Sequence, residues 1–271
     1  MENWEAVHRW EWLRRNQWFE NFRAGKVRLT GAIQEVLGAN GMRDGLLLDC
    51  SCGLGFQSIV LAEAGIRVQG ADRSPFAVER ARELASDNGL HIEYFASRWD
   101  ELPQRTSTRF DAAFVDALSW LHSRDEMLAA LRGLRGILRR GGILIFLGEP
   151  EGITRELRER RLESWWKSVP RASLKWSHSE GDLTCTLMSL GSRGPDYIDW
   201  HQMYLIEENN TLRLEHQAIR ESLRWTWPDL TQAALEAGFT KLEMHKDTEW
   251  SVGGRPVGLN VAVNGSRASR S

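Results

Sequence analysis

The chain has 271 residues, 42% of them hydrophobic, enough for one or two domains with a large buried core. A net charge of −2, with no basic run beside aromatics, excludes the electrostatic footprint of a nucleic-acid binder. No stretch reaches the roughly 20 apolar residues of a membrane span, and the charged, tryptophan-rich N-terminus lacks an apolar leader pattern, so a cytoplasmic address is expected.

Residues 2–22 read as a helix carrying Trp4, Trp10, Trp12, Trp18, Phe19 and Phe22, and 26–39 as a second helix closed by Gly38-Ala39-Asn40-Gly41. The apolar run Leu46-Leu47-Leu48 then feeds Asp49-Cys50-Ser51-Cys52-Gly53-Leu54-Gly55-Phe56, which predicts a strand, a glycine loop and a helix start. A second short strand, 66–71, ends on Asp72, and Ser74-Pro75 opens a helix that stops at Gly89, a left-handed cap position. Strands are expected at 91–95, 110–115 and 143–147, with a helix over 124–139 before the last of them. Strands alternating with helices imply an α/β, doubly wound and mostly parallel sheet.

Beyond Pro150 the pattern changes. A charged helix, 151–168, precedes alternating runs at 172–178, 182–190, 197–207 and 211–224 separated by turn clusters, which predicts an antiparallel meander. A helix over 227–237 and strands at 241–245 and 258–263 return to the sheet. The expected organisation is an N-terminal helical lid (1–43), a nucleotide-binding core (44–149 and 226–263), a substrate-side insert (150–225) packed as a lid or wall, and a disordered tail (264–271).

The chemistry sits in the first two strand ends. Gly53 and Gly55 permit backbone angles and close approach that a Cβ forbids, and Asp72 at the next strand end can accept hydrogen bonds from both ribose hydroxyls. A dinucleotide fingerprint would carry a third glycine where Ser58 stands, so an NAD-linked reading is the weaker one. Cys50, Cys52 and Cys185 cannot build a disulfide framework, and Cys50/Cys52 find no second pair to complete a zinc tetrahedron, so no metal is expected.

The spacing from Asp49 to Gly53 and Gly55 resembles motif I of the class I S-adenosylmethionine-dependent methyltransferases, D-x-x-x-G-x-G. Within them the chain is similar to the glycine N-methyltransferase-like small-molecule group, through that loop, Ser97-Arg98-Trp99, the 139–142 turn and an aromatic entry to the last helix. The resemblance implies a seven-stranded Rossmann-like sheet whose last strand is antiparallel, N-terminal helices, an antiparallel β insert after strand five, and S-adenosyl-L-methionine as cofactor. It places Asp49, Ser51, Gly53 and Gly55 at the methionine end, Asp72 on the ribose, and Arg73 near the adenine or ribose. Trp99 would border the adenine, and Asp116 would meet the cofactor's amino group or cap the helix that follows. Arg98 stands where the group carries an acceptor for the adenine amino group, and an arginine cannot accept that bond.

On the substrate side, Glu149 occupies the stretch where glycine-type enzymes hold an arginine for the substrate carboxylate, so free glycine is an unsuitable acceptor. Glu149, His122, His201 or Tyr204 could take the proton an amine must lose. Thirteen tryptophans suit diffuse cations, and Trp18, Trp120, Trp200 and Trp225 are candidate walls of the acceptor pocket. The N-terminal tryptophans could instead dock a helix or build a homodimer surface. The expected function is methyl transfer to a small molecule, nitrogen first. A carbon or oxygen acceptor and a non-catalytic S-adenosylmethionine-binding protein are the alternatives.

Overall fold

In the computed structural model, the backbone is described over residues 4–252 and 255–265, and the side chains over 4–245 and 257–265. The elements run α1 (Trp4–Leu13), α2 (Arg15–Ala39), β1 (Leu46–Asp49), α3 (Phe56–Glu63), β2 (Arg67–Asp72), α4 (Pro75–Asp87), β3 (Glu93–Ala96), α5 (Leu102–Arg105), β4 (Phe110–Val115), α6 (Arg124–Ile137) and β5 (Leu138–Gly148). Then come α7 (Arg155–Ser168), β6 (Ala172–Glu180), β7 (Leu183–Arg193), β8 (Tyr197–Glu208), β9 (Thr211–Ser222), α8 (Trp227–Glu236), β10 (Lys241–Val252) and β11 (Arg255–Val263).

Seven strands form one sheet in the order β10-β11-β5-β4-β1-β2-β3. Its β1, β2, β3, β4 and β5 are parallel, and β11 runs antiparallel to β5 and β10. The expected Rossmann-like sheet with a reversed last strand is therefore observed. Strand β1 shows why an unbroken apolar run was required. Leu48 packs with Leu131 and Leu134 of α6 on one face, while Leu47 packs with Ile33 and Leu37 of α2 on the other, as a parallel strand covered on both sides must.

Residues 172–222 form a separate four-stranded antiparallel sheet in sequential order β6-β7-β8-β9, hereafter sheet B. The β8–β9 turn has Asn209 and Asn210 both at positive φ, 51° and 58°, the twist-matched geometry of a two-residue hairpin. One face of sheet B covers α1, where Trp10 packs on Tyr204 and its indole N–H donates to Glu215 Oε2 at 2.9 Å.

The N-terminal helices differ from the expected boundaries. The break falls at Arg14, and Gly25 lies inside a continuous α2. Two docking directions explain it: Trp10 is drawn to sheet B, whereas Trp18 and Phe19 stack on Phe56 at the head of α3, with centroids 4.4 and 5.3 Å away. A straight helix could not bury both sets. Strands β10 and β11 also run longer than the sequence pattern suggests. Of the expected disordered tail, Asn264 is buried and donates to Leu138 O at 3.1 Å, and residues 266–271 lie outside the described residues.

Candidate functional site

The carboxyl ends of β1, β2 and β4 converge on the glycine loop. Gly53 and Gly55 have φ of +50° and +86°, left-handed values that cost other residues strain. The Gly53 N–H donates to Asp72 Oδ2 at 3.0 Å, and the Ser74 N–H donates to Asp72 Oδ1 at 2.9 Å. Asp72 thus braces the loop and the start of α4 with one bond to each oxygen. A carboxylate has about four acceptor directions, which leaves one on each oxygen for a pair of neighbouring hydroxyls.

Ser51 Oγ donates to Asp116 Oδ1 at 2.8 Å and accepts from the Asp116 N–H at 3.2 Å, tying the β1 loop to the end of β4. Asp49 lies beneath the loop, 1% exposed, and accepts from Ser58 Oγ at 2.7 Å. Burial, with Asp116 nearby, raises its carboxyl to about 7. Burial also raises Asp116, against the pull of Lys26, and pushes the free Cys50 and Cys52 thiols well above their ordinary value. Trp99 donates its indole N–H to Cys50 O at 2.6 Å, which fixes its ring beside the loop. Arg98 turns away to Asp100, Nε to Oδ1 3.2 Å, with its side chain 60% exposed. Arg73 follows Asp72 and lies within electrostatic reach of His8.

Two residues from the N-terminal helices join this set and were not legible in the sequence. A Cβ on Gly53 would meet His8 Cε1 at 3.5 Å, so α1 closes directly over the loop. Burial lowers the His8 pKa, but Glu11, 3.5 Å away, and Asp72 outweigh it and hold the imidazole above its ordinary value. Lys26 of α2 is one turn before Thr30, whose hydroxyl oxygen accepts from Gln57 Nε2 of α3 at 2.8 Å. Its ammonium stands 5.5 Å from the Trp18 ring centroid. Burial pushes the amine down while Asp116, Asp49 and Glu11 draw it up. Neither α1 nor α2 carries a local motif that announces His8 or Lys26 here; both are brought in by the packing of the two helices on the loop and α3.

The predicted acceptor residues divide. Glu149, Trp225, Ser119 and Leu118 line a small cleft beside the β5 end, and the Trp225 indole N–H donates to Leu121 O at 2.7 Å. Trp120 packs edge-on against Trp4 of α1, centroids 5.1 Å apart. Glu149 is paired with Arg158 of α7, Oε2 to Nε 3.4 Å, and Arg158 is buried and also donates to Leu223 O. This pairing corrects the expectation of an acidic pocket, because the guanidinium offsets the carboxylate. Trp18 is committed to Phe56 and packs the lid rather than the cleft. Trp200 donates to Glu221 Oε2 at 3.2 Å within a cluster with Trp165 and Trp166, and Glu221, fully buried, is a further acid that sequence reading passed over.

Tyr204 is buried on the inner face of sheet B. Its hydroxyl donates to Gln202 Oε1 at 2.6 Å, and burial raises it far from any role as a neutral-pH base. His201 projects from the opposite face, stacked on His216 with Nδ1···Nε2 at 3.1 Å, and so is not brought to the cleft. The His122 N–H donates to Glu126 at the start of α6. Among the described residues there is no cluster of three or more His, Cys, Asp or Glu side chains able to hold a metal ion, and no helix is long and apolar enough to cross a membrane.

Residues 47–142 match the methyltransferase domain family, which bears out the resemblance to class I methyltransferases drawn from the glycine loop. A ubiquinone biosynthesis O-methyltransferase of Actinobacillus pleuropneumoniae is 30% identical over 112 residues, 40% of this chain. The match spans 47% of that enzyme's length. The sugar N-methyltransferase KedS8 from Streptoalloteichus sp. has the same fold, with a TM-score of 0.67 and 18% identity over 88% of this chain and 87% of its own. So does S-adenosylmethionine-bound CalS10, an amino pentose methyltransferase from Micromonospora echinaspora, with a TM-score of 0.60 and 19% identity over 88% and 91%.

Proposed function

We propose that this chain, whose residues 47–142 match the methyltransferase domain family, binds S-adenosyl-L-methionine and transfers its methyl group to a small-molecule acceptor, most favourably an amine. The observation that carries the reading is the Gly53–Asp72 bond beside left-handed Gly55, which leaves acceptor directions on Asp72 at the edge of the glycine loop. The donor set fits the cofactor part by part. Asp72 suits the ribose hydroxyls, Trp99 suits an adenine face, Asp116 suits an ammonium, and Lys26 suits the carboxylate of the methionine end.

The bound cofactor supplies an electrophilic methyl, and the protein's task is to position the acceptor lone pair in line and exclude water. Helix α1 serves the second need by laying His8 on Gly53 and Trp4 on Trp120. In the cleft, Trp225 supplies an aromatic wall, and Glu149, held by Arg158, orients a donor rather than takes a proton. An amine must therefore give its proton to solvent before it enters the cleft, so that its lone pair is free to face the methyl.

Nitrogen is preferred because KedS8 and CalS10, which share the fold over nearly the whole chain, are named for sugar nitrogen and amino pentose methylation. The oxygen-methylating relative matches only 40% of this chain, and so speaks less to the acceptor side. The test is calorimetric titration with S-adenosylmethionine and S-adenosylhomocysteine, followed by a mass-spectrometric screen of amino sugars, other amines and phenols. Micromolar binding that Asp72→Ala weakens at least about tenfold, by the loss of more than 1.4 kcal/mol, is expected. A folded parent that binds neither compound overturns the reading, and methylation of phenols but not amines overturns its nitrogen half.

A further inference from the structure

Asn260 lies in the middle of the seven-stranded sheet, on β11, and is fully buried. It shares a face with Phe146 of β5, its partner in the register. Its carboxamide is nearly idle: Nδ2 donates to Gly258 O across 3.4 Å, and Oδ1 has no hydrogen-bond partner among the described residues. A buried acceptor without a donor costs stability that an apolar side chain of the same shape would not. The neighbouring glycine shows where a donor could enter. Gly148, two residues on from Phe146 and on the same face, lines the acceptor cleft together with Leu230. A Cβ there would come within 3.1 Å of Asn260 Nδ2, 3.2 Å of Phe146 Cε2 and 3.3 Å of Leu230 Cδ1. The φ of Gly148 is not positive, so the chain needs a glycine at this point for space and not for its backbone. Inside a strand that choice costs stability and marks a close approach. Ser119, in the turn after β4, lines the same cleft, and its buried Oγ also has no hydrogen-bond partner. The other polar side chains of the lining are engaged: Glu149 with Arg158, Ser222 with the Arg224 N–H, and Trp225 with Leu121 O.

We propose that Asn260 and Ser119 select the acceptor by a hydroxyl group that enters the cleft beside Gly148. The proposal rests on the reading of this cleft as the acceptor site. A hydroxyl both donates and accepts, so it answers both idle groups: its proton goes to Asn260 Oδ1, and its oxygen takes a hydrogen from Nδ2 or from Ser119 Oγ. An ammonium can only donate, and a carboxylate can only accept and would stand beside Glu149. Neither matches a carboxamide and a serine together. The substrate class that follows is an amine that also carries an alcohol. Its nitrogen faces the methyl while its hydroxyl anchors the molecule, and an amine without the alcohol leaves two buried polar groups unanswered, which is the situation in which a site rejects an analogue most strongly.

The experiment measures methyl transfer by the full chain to two matched pairs, aminocyclohexanol with cyclohexylamine and serinol with isopropylamine. The parent is expected to prefer the hydroxylated member of a pair at least about tenfold in kcat/KM. Asn260→Leu and Ser119→Ala should each reduce that preference to below about threefold, through a raised KM at unchanged kcat. Ser173→Ala on β6, which removes another buried hydroxyl without a partner, should leave it intact. Stability gives a second readout: Asn260→Leu should unfold at the same urea concentration as the parent or a higher one, because the idle carboxamide is gone. Should that variant not fold, Ser119→Ala carries the test. Calorimetry with S-adenosylhomocysteine separates the two readings. A parent that does not bind it overturns the cofactor reading and this proposal with it. Intact binding without a preference for the hydroxylated amines, zero turnover of both members included, overturns this proposal alone. So does an Asn260→Leu variant that is less stable and loses both members of a pair equally, which would make Asn260 a support of the sheet.

Discussion

Replacing Gly133 by alanine should unseat the tryptophan beside the glycine loop although the substitution lies in α6, outside the loop. A Cβ built there would sit 2.0 Å from the Trp99 carbonyl oxygen and 2.8 Å from Asp100 Cα. Both are backbone atoms, so the turn at Trp99–Glu101 must retreat by about 1.4 Å to reach ordinary contact. Alanine gains about 1 kcal/mol over glycine in a helix interior. Against this stand an overpacking cost of about 1–3 kcal/mol and about 1 kcal/mol for the Trp99–Cys50 hydrogen bond. The net expectation is a loss of about 1–3 kcal/mol in urea unfolding, with S-adenosylhomocysteine affinity reduced about tenfold because the Trp99 ring is no longer held. Gly31→Ala in α2 is the control: nothing lies within 4 Å of its Cβ, and it should stabilise by about 0.5–1 kcal/mol. If Gly133→Ala were as stable as the parent and bound the ligand equally well, the reasoning about Trp99 would be wrong.

Lys26→Met should weaken S-adenosylhomocysteine binding about tenfold or more in calorimetry while sparing methylthioadenosine, which lacks the amino-acid end; equal losses for both ligands would make Lys26 merely structural. Asp49 provides a pH signature. Its folded carboxyl is raised to about 7, so its stabilising protonation is complete below about pH 4 and is lost as pH rises through 7, an upper bound of about 4 kcal/mol. Asp116 and Lys26 share its field, and the slope should be read as the parent minus Asp49→Asn between pH 5 and 7.5. A variant whose slope matches the parent's would exclude this assignment. Glu149→Gln should leave the buried Arg158 with Glu159 as its remaining carboxylate and cost about 1–3 kcal/mol, seen as a lowered urea midpoint; a variant that stays stable but loses turnover would identify Glu149 as a base instead.

Much of the fold was written locally. The run Leu46-Leu47-Leu48, the glycine loop, Asp72 and the Ser74-Pro75 entry are short-range signals, and each fell where the pattern put it. What escaped was long-range or two-faced. The ion pair of Glu149 depends on an arginine nine residues on, brought back by α7, and no spacing rule announces it. The failure to orient His201 has a clear physical source. Strand β8 carries Tyr204 and Ile206 on one face and Met203 and Leu205 on the other, so alternation could not say which side was inward. His8 and Lys26 reach the loop only because α1 and α2 part at Arg14, a break set by where Trp10 and Trp18 dock rather than by a helix breaker.

Arg158 joins Glu149, just before the insert, to Leu223, the first residue after its final strand, through the carboxylate of one and the carbonyl of the other. Entry and exit of the whole insert are therefore fastened at a single guanidinium. A segment whose two ends meet at one fixed point behaves as a cassette. Its strands can lengthen, shorten or be exchanged for those of another chain, provided the arginine and its two acceptors travel together and Tyr204 and Glu215, the partners of Trp10, are kept so that α1 stays over the glycine loop. Diversification of acceptor range on a constant cofactor half would then proceed by grafting at Glu149 and Leu223.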